Sequence, residues 1–106
     1  MTDDYAHLTD MTALRAEMDR LDRELAALLG RRSRLIDQAA RIKARVGLPA
    51  RIGPRVEEVA ANARRNAQDA GYDPDLAEAL WRLMMDHFIA QEARALGEDL
   101  GKDDDC

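Results

Sequence analysis

The chain has 106 residues, a length that suits one small domain. Charged residues make up 35% and aromatic residues only 4%, which favours a soluble helical protein over a sheet protein. Sixteen basic residues against 21 acidic ones give a formal net charge of −5, which weighs against nucleic acid or an anionic membrane as the main partner.

Residues 1–9 lack periodicity and are expected to form a flexible N-terminus. Thr9 or Asp10 can cap a helix that then runs to about Arg45. Its apolar residues recur every three or four positions: Met11, Leu14, Met18, Leu21, Leu25 and Leu28, then Leu35, Ala39, Ile42 and Val46. That is a heptad-like seam on a helix on the order of 50 Å long. "VGLPARIGP" breaks it with two Gly and two Pro. Pro54 can start a second helix with a thin apolar stripe of Val56, Val59, Ala63, Ala67 and Ala70. In "DAGYDPD", Gly71 suits a helix end, Asp73 an N-cap and Pro74 a first helical position. The third helix is expected from Pro74 to about Leu96, ending at Gly97. The helical domain thus covers 10–97, and an acidic, disordered tail is expected at 98–106.

Cys106 is the only cysteine, so no intrachain disulfide is expected. No signal peptide is visible and no apolar run approaches a membrane span, so a cytoplasmic location is expected. His7 and His87 are isolated, and no motif for a metal or cofactor is present. A single long helix cannot bury its whole seam against two shorter ones, one of them alanine-rich. An all-α chain of this kind is expected to associate, most simply as an intertwined two-fold homodimer.

One position in the seam, 32, holds arginine. At about 100° per residue, Lys43 points within about 20° of Arg32, some 16 Å further along the axis. Leu35, Ala39 and Ile42 lie between them on that face, and Ala39 is small. The pair brackets an apolar-walled space suited to a compact dianion. The alternative is that both cations snorkel to solvent or pair with acids. Arg15 sits about 25 Å from Arg32 along the helix, too far to share a small ligand within one straight helix, although an antiparallel partner helix could supply its own Arg15. Arg55 opens the second helix, whose N-terminus favours anions. On the third helix Trp81, Met85 and Phe88 form a stripe whose next position is Glu92. Glu92 is either solvated beyond the core or buried. If buried, desolvation favours its neutral form and a neighbouring cation its charged form.

These residues resemble the all-helical class of chorismate mutases from about Met11 to Leu96. The matching segments are "LRAEMDRLDRELAALLGRRSRLIDQAARIKA", "LPARIGPRVEEV" and "LWRLMMDHFIAQE". The family's spacing of arginine, arginine, lysine and arginine is met at Arg15, Arg32, Lys43 and Arg55. The resemblance implies a two-fold dimer of three-helix chains in which each site takes Arg15 from the partner chain. It implies a Claisen rearrangement of chorismate to prephenate, with no nucleophile, metal or redox cofactor. Catalysis then comes from holding the diaxial conformer and stabilising charge that grows on the ether oxygen. Arg15 and Arg32 are expected to clamp the two carboxylates. Lys43, and Glu92 if protonated, are expected to donate to the ether oxygen. Arg55 belongs near the ring or a carboxylate, and Ala39, Val56, Met85, Phe88 and Ile89 supply dry walls.

Two positions depart from the family pattern. Typical mutases carry an acidic residue after the second-helix arginine and often another three residues before it; here these are Val56 and Ile52. Arginine followed by valine is more similar to two relatives, the isochorismate pyruvate-lyases and the 4-amino-4-deoxychorismate mutases. Glutamate at position 92 resembles the fungal mutases and the amino-deoxychorismate branch, and leans away from the lyases, which resemble the glutamine pattern of bacterial mutases. Outside the family, "GRRSR" and "NARRN" leave open a non-catalytic helical interaction module, whose bland counterpart is a solvated helix face.

Overall fold

The computed structural model describes residues 4–97. The expected tail at 98–106, and residues 1–3 of the expected flexible N-terminus, lie outside the described residues. Three helices and no strand occur among them: α1 Met11–Val46, α2 Gly53–Ala70 and α3 Pro74–Leu96. No helix among the described residues is long and apolar enough to cross a membrane. The chain divides into two compact units, residues 1–34 and 35–106, with α1 contributing to both.

In the first unit a turn over residues 4–7 precedes α1, and the Leu8 N–H donates to the Tyr5 carbonyl at 2.9 Å. The Asp10 carboxylate then accepts the Ala13 N–H at 2.8 Å, satisfying one of the donors that a helix start leaves over. Arg20 pairs along the helix surface with Glu17 and, at 2.6 Å, with Glu24. The apolar seam is uncovered: Met11, Met18, Leu21, Leu25 and Leu28 are 49–55% exposed.

In the second unit α1 ends where Gly47 turns to φ 80°, a left-handed value that costs other residues steric strain. The Lys43 carbonyl accepts both the Gly47 and Leu48 N–H groups, at 2.8 and 2.9 Å, which closes the helix end. Ile52 is the extended N-cap of α2, without a side-chain cap, and Pro54 lies in the first turn, where its missing N–H costs no helix bond. Gly71, at φ 88°, ends α2, and its N–H and that of Tyr72 reach back to the Ala67 carbonyl at 2.8 and 3.0 Å. The Asp73 carboxylate accepts the Asp75 N–H at 2.8 Å and starts α3.

Helices α2 and α3 pack through two apolar clusters. One joins Ala50, Ala60, Met85, Ile89 and Ala93, with Val56, Val59 and Leu96 against it. The other joins Ala63, Ala67 and Ala77, with Trp81 against it. Ala60 therefore belongs to the buried stripe of α2, whereas Ala70, expected there, is exposed in the last turn before Gly71. Small side chains let two backbones approach closely, but each buried methyl contributes only on the order of 0.8 kcal/mol. A core this rich in alanine leaves apolar surface elsewhere: Leu76, Leu80 and Leu83 on α3 are 43–69% exposed.

Candidate active site

The second unit gathers most of the residues that the sequence singles out. Lys43 comes from the last turn of α1, where the helix has a basic end. Its Nζ donates to Glu92 Oε1 at 2.6 Å and to the Ala50 carbonyl at 2.7 Å. Both side chains are largely withdrawn from solvent, Lys43 to 17% and Glu92 to 8% exposed. Glu92 thus takes the buried alternative, because α3 carries it about one turn past Ile89 and two past Met85, on the face that meets the core. Pairing with an acid is one of the two readings open for Lys43, and the acid is the second candidate itself.

The same packing places the residues expected as walls. Met85 and Ile89 are each 7% exposed, and Val56 packs against their cluster. Ala39, Ile52 and Phe88 are half-buried, and the Phe88 ring meets His87 edge-on with centroids 5.2 Å apart. Neither Ile52 nor Val56 offers a side-chain acceptor. Arg55 lies in the first turn of α2, exposed, with its Nη1 donating to Glu58 Oε1 at 2.9 Å. An exposed pair at one-turn spacing holds an arginine only weakly.

Arg15 and Arg32 belong to the first unit. Arg15 is exposed in the second turn of α1, and Arg32 is half-buried past the helix midpoint. They lie 17 residues apart on one helix, about 25 Å at the usual rise.

Three polar contacts of this region have no counterpart in the sequence reading. The Ala50 carbonyl is one, and an alanine side chain gives no sign that its backbone oxygen will receive an ammonium. The Arg51 Nη2–Asp86 Oδ1 bond at 2.9 Å and the Gln91 Nε2–Asp37 Oδ1 bond at 2.9 Å are the others. Each joins residues more than 30 positions apart, a separation that helix periodicity cannot see.

A largely buried lysine–glutamate pair beside an apolar cluster on a helical frame can act on a ligand through binding and electrostatics. The chain belongs to the chorismate mutase type II family, whose model matches residues 14–93. The chain is also similar to the T-protein of Enterobacter agglomerans, 35% identical over 85 residues, covering 80% of this chain and 23% of that protein. It is similar to the T-protein of Haemophilus influenzae, 40% identical over 80 residues, covering 74% of this chain and 21% of that protein. The chain therefore spans under a quarter of the length of the curated relatives it matches. The family's chemistry is isomerisation, with chorismate as its substrate.

Proposed function

We propose that the chain rearranges chorismate to prephenate, breaking the ether C–O bond and forming a C–C bond in one cyclic shift of electrons. The observation that carries this reading is the Lys43 ammonium, held between Glu92 and the Ala50 carbonyl beside an apolar wall, in a chain of this family. An ammonium has three N–H donors, and two are engaged. The third serves the ether oxygen, on which negative charge grows as the bond breaks. A donor fixed before the reaction costs no reorganisation during it, and low exposure strengthens its field.

The remaining roles rest on the sequence match. Arg32, and Arg15 from a partner chain, clamp the two carboxylates, for which the guanidinium fork is well shaped. Arg55 serves the ring or a carboxylate. Glu92 accepts from Lys43 through one oxygen and addresses the ether oxygen through the other when that oxygen carries a proton. Ala39, Ile52, Val56, Met85, Phe88 and Ile89 shape the cavity and exclude water. The working unit is a homodimer, supported by the half-exposed seam of α1 in a single chain.

Ile52 and Val56 favour a second reading, in which the same fold lyses isochorismate to salicylate and pyruvate or rearranges 4-amino-4-deoxychorismate. Neither side chain can accept a hydrogen bond from the ring hydroxyl of chorismate. Product analysis after incubation with each of the three substrates separates the readings. Prephenate as the dominant product supports the proposal. Salicylate with pyruvate, or turnover of the amino analogue alone, replaces it.

A further inference from the structure

The connection between α1 and α2 meets Lys43 twice. Its first two residues, Gly47 and Leu48, donate their N–H groups to the Lys43 carbonyl at 2.8 and 2.9 Å. Three residues after Gly47, the Ala50 carbonyl accepts from the Lys43 ammonium at 2.7 Å. Pro49 stiffens the step between these contacts by fixing its own φ. The Ala50 side chain is 2% exposed and lies in the cluster of Ala60, Met85, Ile89 and Ala93. Arg51 then reaches Asp86 on α3 at 2.9 Å. The connection is thus keyed into the α2–α3 core by one methyl while its carbonyl faces the ammonium.

We infer that Ala50 is a positioning residue for the rearrangement: its buried methyl sets the carbonyl that, with Glu92, aims the third N–H of Lys43 at the reacting oxygen. This rests on the proposed mutase function. One acceptor leaves an ammonium free to rotate about that bond. Two acceptors from different elements fix its orientation, and hence the direction of the remaining donor. The carbonyl cannot be deleted by substitution, but its position can be moved through the side chain. A larger residue has to displace the neighbours of this buried methyl. Glycine keeps the carbonyl and removes the methyl that keys it.

The expected effect falls on kcat, because the third N–H acts on charge present only in the transition state, while the arginines hold the ground state. Ala50→Leu and Ala50→Gly are expected to lower kcat about 10- to 100-fold with KM changed less than about 3-fold, since small misplacements in a preorganised site cost rates of that order. Ala50→Ser, close in size, is expected to retain most of the rate. In a Lys43→Ala background, Ala50→Gly is expected to lower kcat no further, the signature of two residues acting through one group. Additive losses in that cycle, or losses confined to KM, overturn the inference and leave Ala50 a packing residue. A second measurement does not use turnover: hydrogen exchange of the Lys43 ammonium, followed by nitrogen-15 NMR in the folded wild type and in Ala50→Gly. Faster exchange in the variant is expected, and equal exchange overturns the inference. A wild type that converts none of the three substrates defeats the mutase reading instead, a result distinct from either of these.

Discussion

Lys43 and Glu92 are separated by 49 residues in sequence and 2.6 Å in space. Removing either leaves a group of opposite charge in a largely buried place, which typically costs about 3–5 kcal/mol when the charge persists. The informative substitution at Glu92 is therefore the isosteric one. Glu92→Gln keeps an oxygen to accept from Lys43 and adds an N–H that can donate to the ether oxygen. Its kcat is expected within about 10-fold of wild type, whereas Glu92→Ala is expected to fall by about 10²-fold or more. Equal losses in the two variants, measured in steady-state assays on folded protein, would show that charge rather than hydrogen bonding matters there. Val56 carries the complementary prediction. It packs half-buried against the cluster of Met85 and Ile89, and in the proposed site it offers the ring hydroxyl no side-chain acceptor. An unmet hydrogen bond costs about 1–3 kcal/mol, so Val56→Glu is expected to lower KM for chorismate about 10-fold. An unchanged KM would mean that backbone or water already serves the hydroxyl.

The helices α2 and α3 are joined by more than alanine packing. Arg82 of α3 holds Glu57 of α2 through two bonds, at 2.8 and 3.2 Å, and Glu78 of its own helix at 2.8 Å. Arg64 of α2 reaches Glu78 at 3.0 Å and Asp75 at 2.8 Å. Hydrogen bonds from Arg82, aided at Glu78 by Arg64, hold the Glu57 and Glu78 carboxyls below their ordinary value of 4.5. A carboxyl lowered by folding stabilises the fold above its unfolded value, and the stabilisation is lost as pH falls through the folded value. The melting temperature of wild type is therefore expected to drop on acidification below about pH 4.5, and that of Arg82→Ala to drop less steeply. Identical slopes in thermal melts from about pH 7 to about pH 3 would assign the acid sensitivity to other groups. Because these groups lie at the surface, the difference between the two proteins is also expected to shrink in 1 M salt, where charges are screened within about 3 Å. Sequence and structure agree best at this scale. Asp10, Pro54, Gly71, Asp73 and Gly97 mark the helix ends through local steric and capping rules, and the observed bounds fall within a residue or two of the expected ones. The Arg82 network was not legible, because spacing on one helix says nothing of which residue faces it on the next. The Lys43–Glu92 contact was legible only in part: each residue stood out as a charge beside an apolar stripe, but the period of one helix does not show which side chain of another it reaches.

Among the described residues, the exposed seam of α1 supports the proposed homodimer. Met11, Met18, Leu21, Leu25 and Leu28 are about half exposed along one helix, and Leu35 further on is 70% exposed. At about 25 cal/mol per Å² of apolar area, a seam of this length is worth several kcal/mol if covered by a second copy. The same step explains the arginines. Arg15 and Arg32 are too far apart on one helix to hold a compact dicarboxylate together, so a site that uses both takes one from each chain. Consider a mixture of Arg15→Ala and Arg32→Ala proteins, each expected to lose at least about 10²-fold in kcat/KM. In the heterodimer, one of the two sites combines the intact Arg15 of one chain with the intact Arg32 of the other, and the second site carries both substitutions. Random exchange makes about half of the dimers mixed, and half of their sites are intact. Activity is therefore expected to recover to about one quarter of wild type, from parents that each retain about 1% or less. The check is a mixing experiment in which exchange is followed with distinguishable tags on the two proteins. Mixed dimers that form and stay inactive would place both arginines in a site built by one chain, and would require α1 to bend between them.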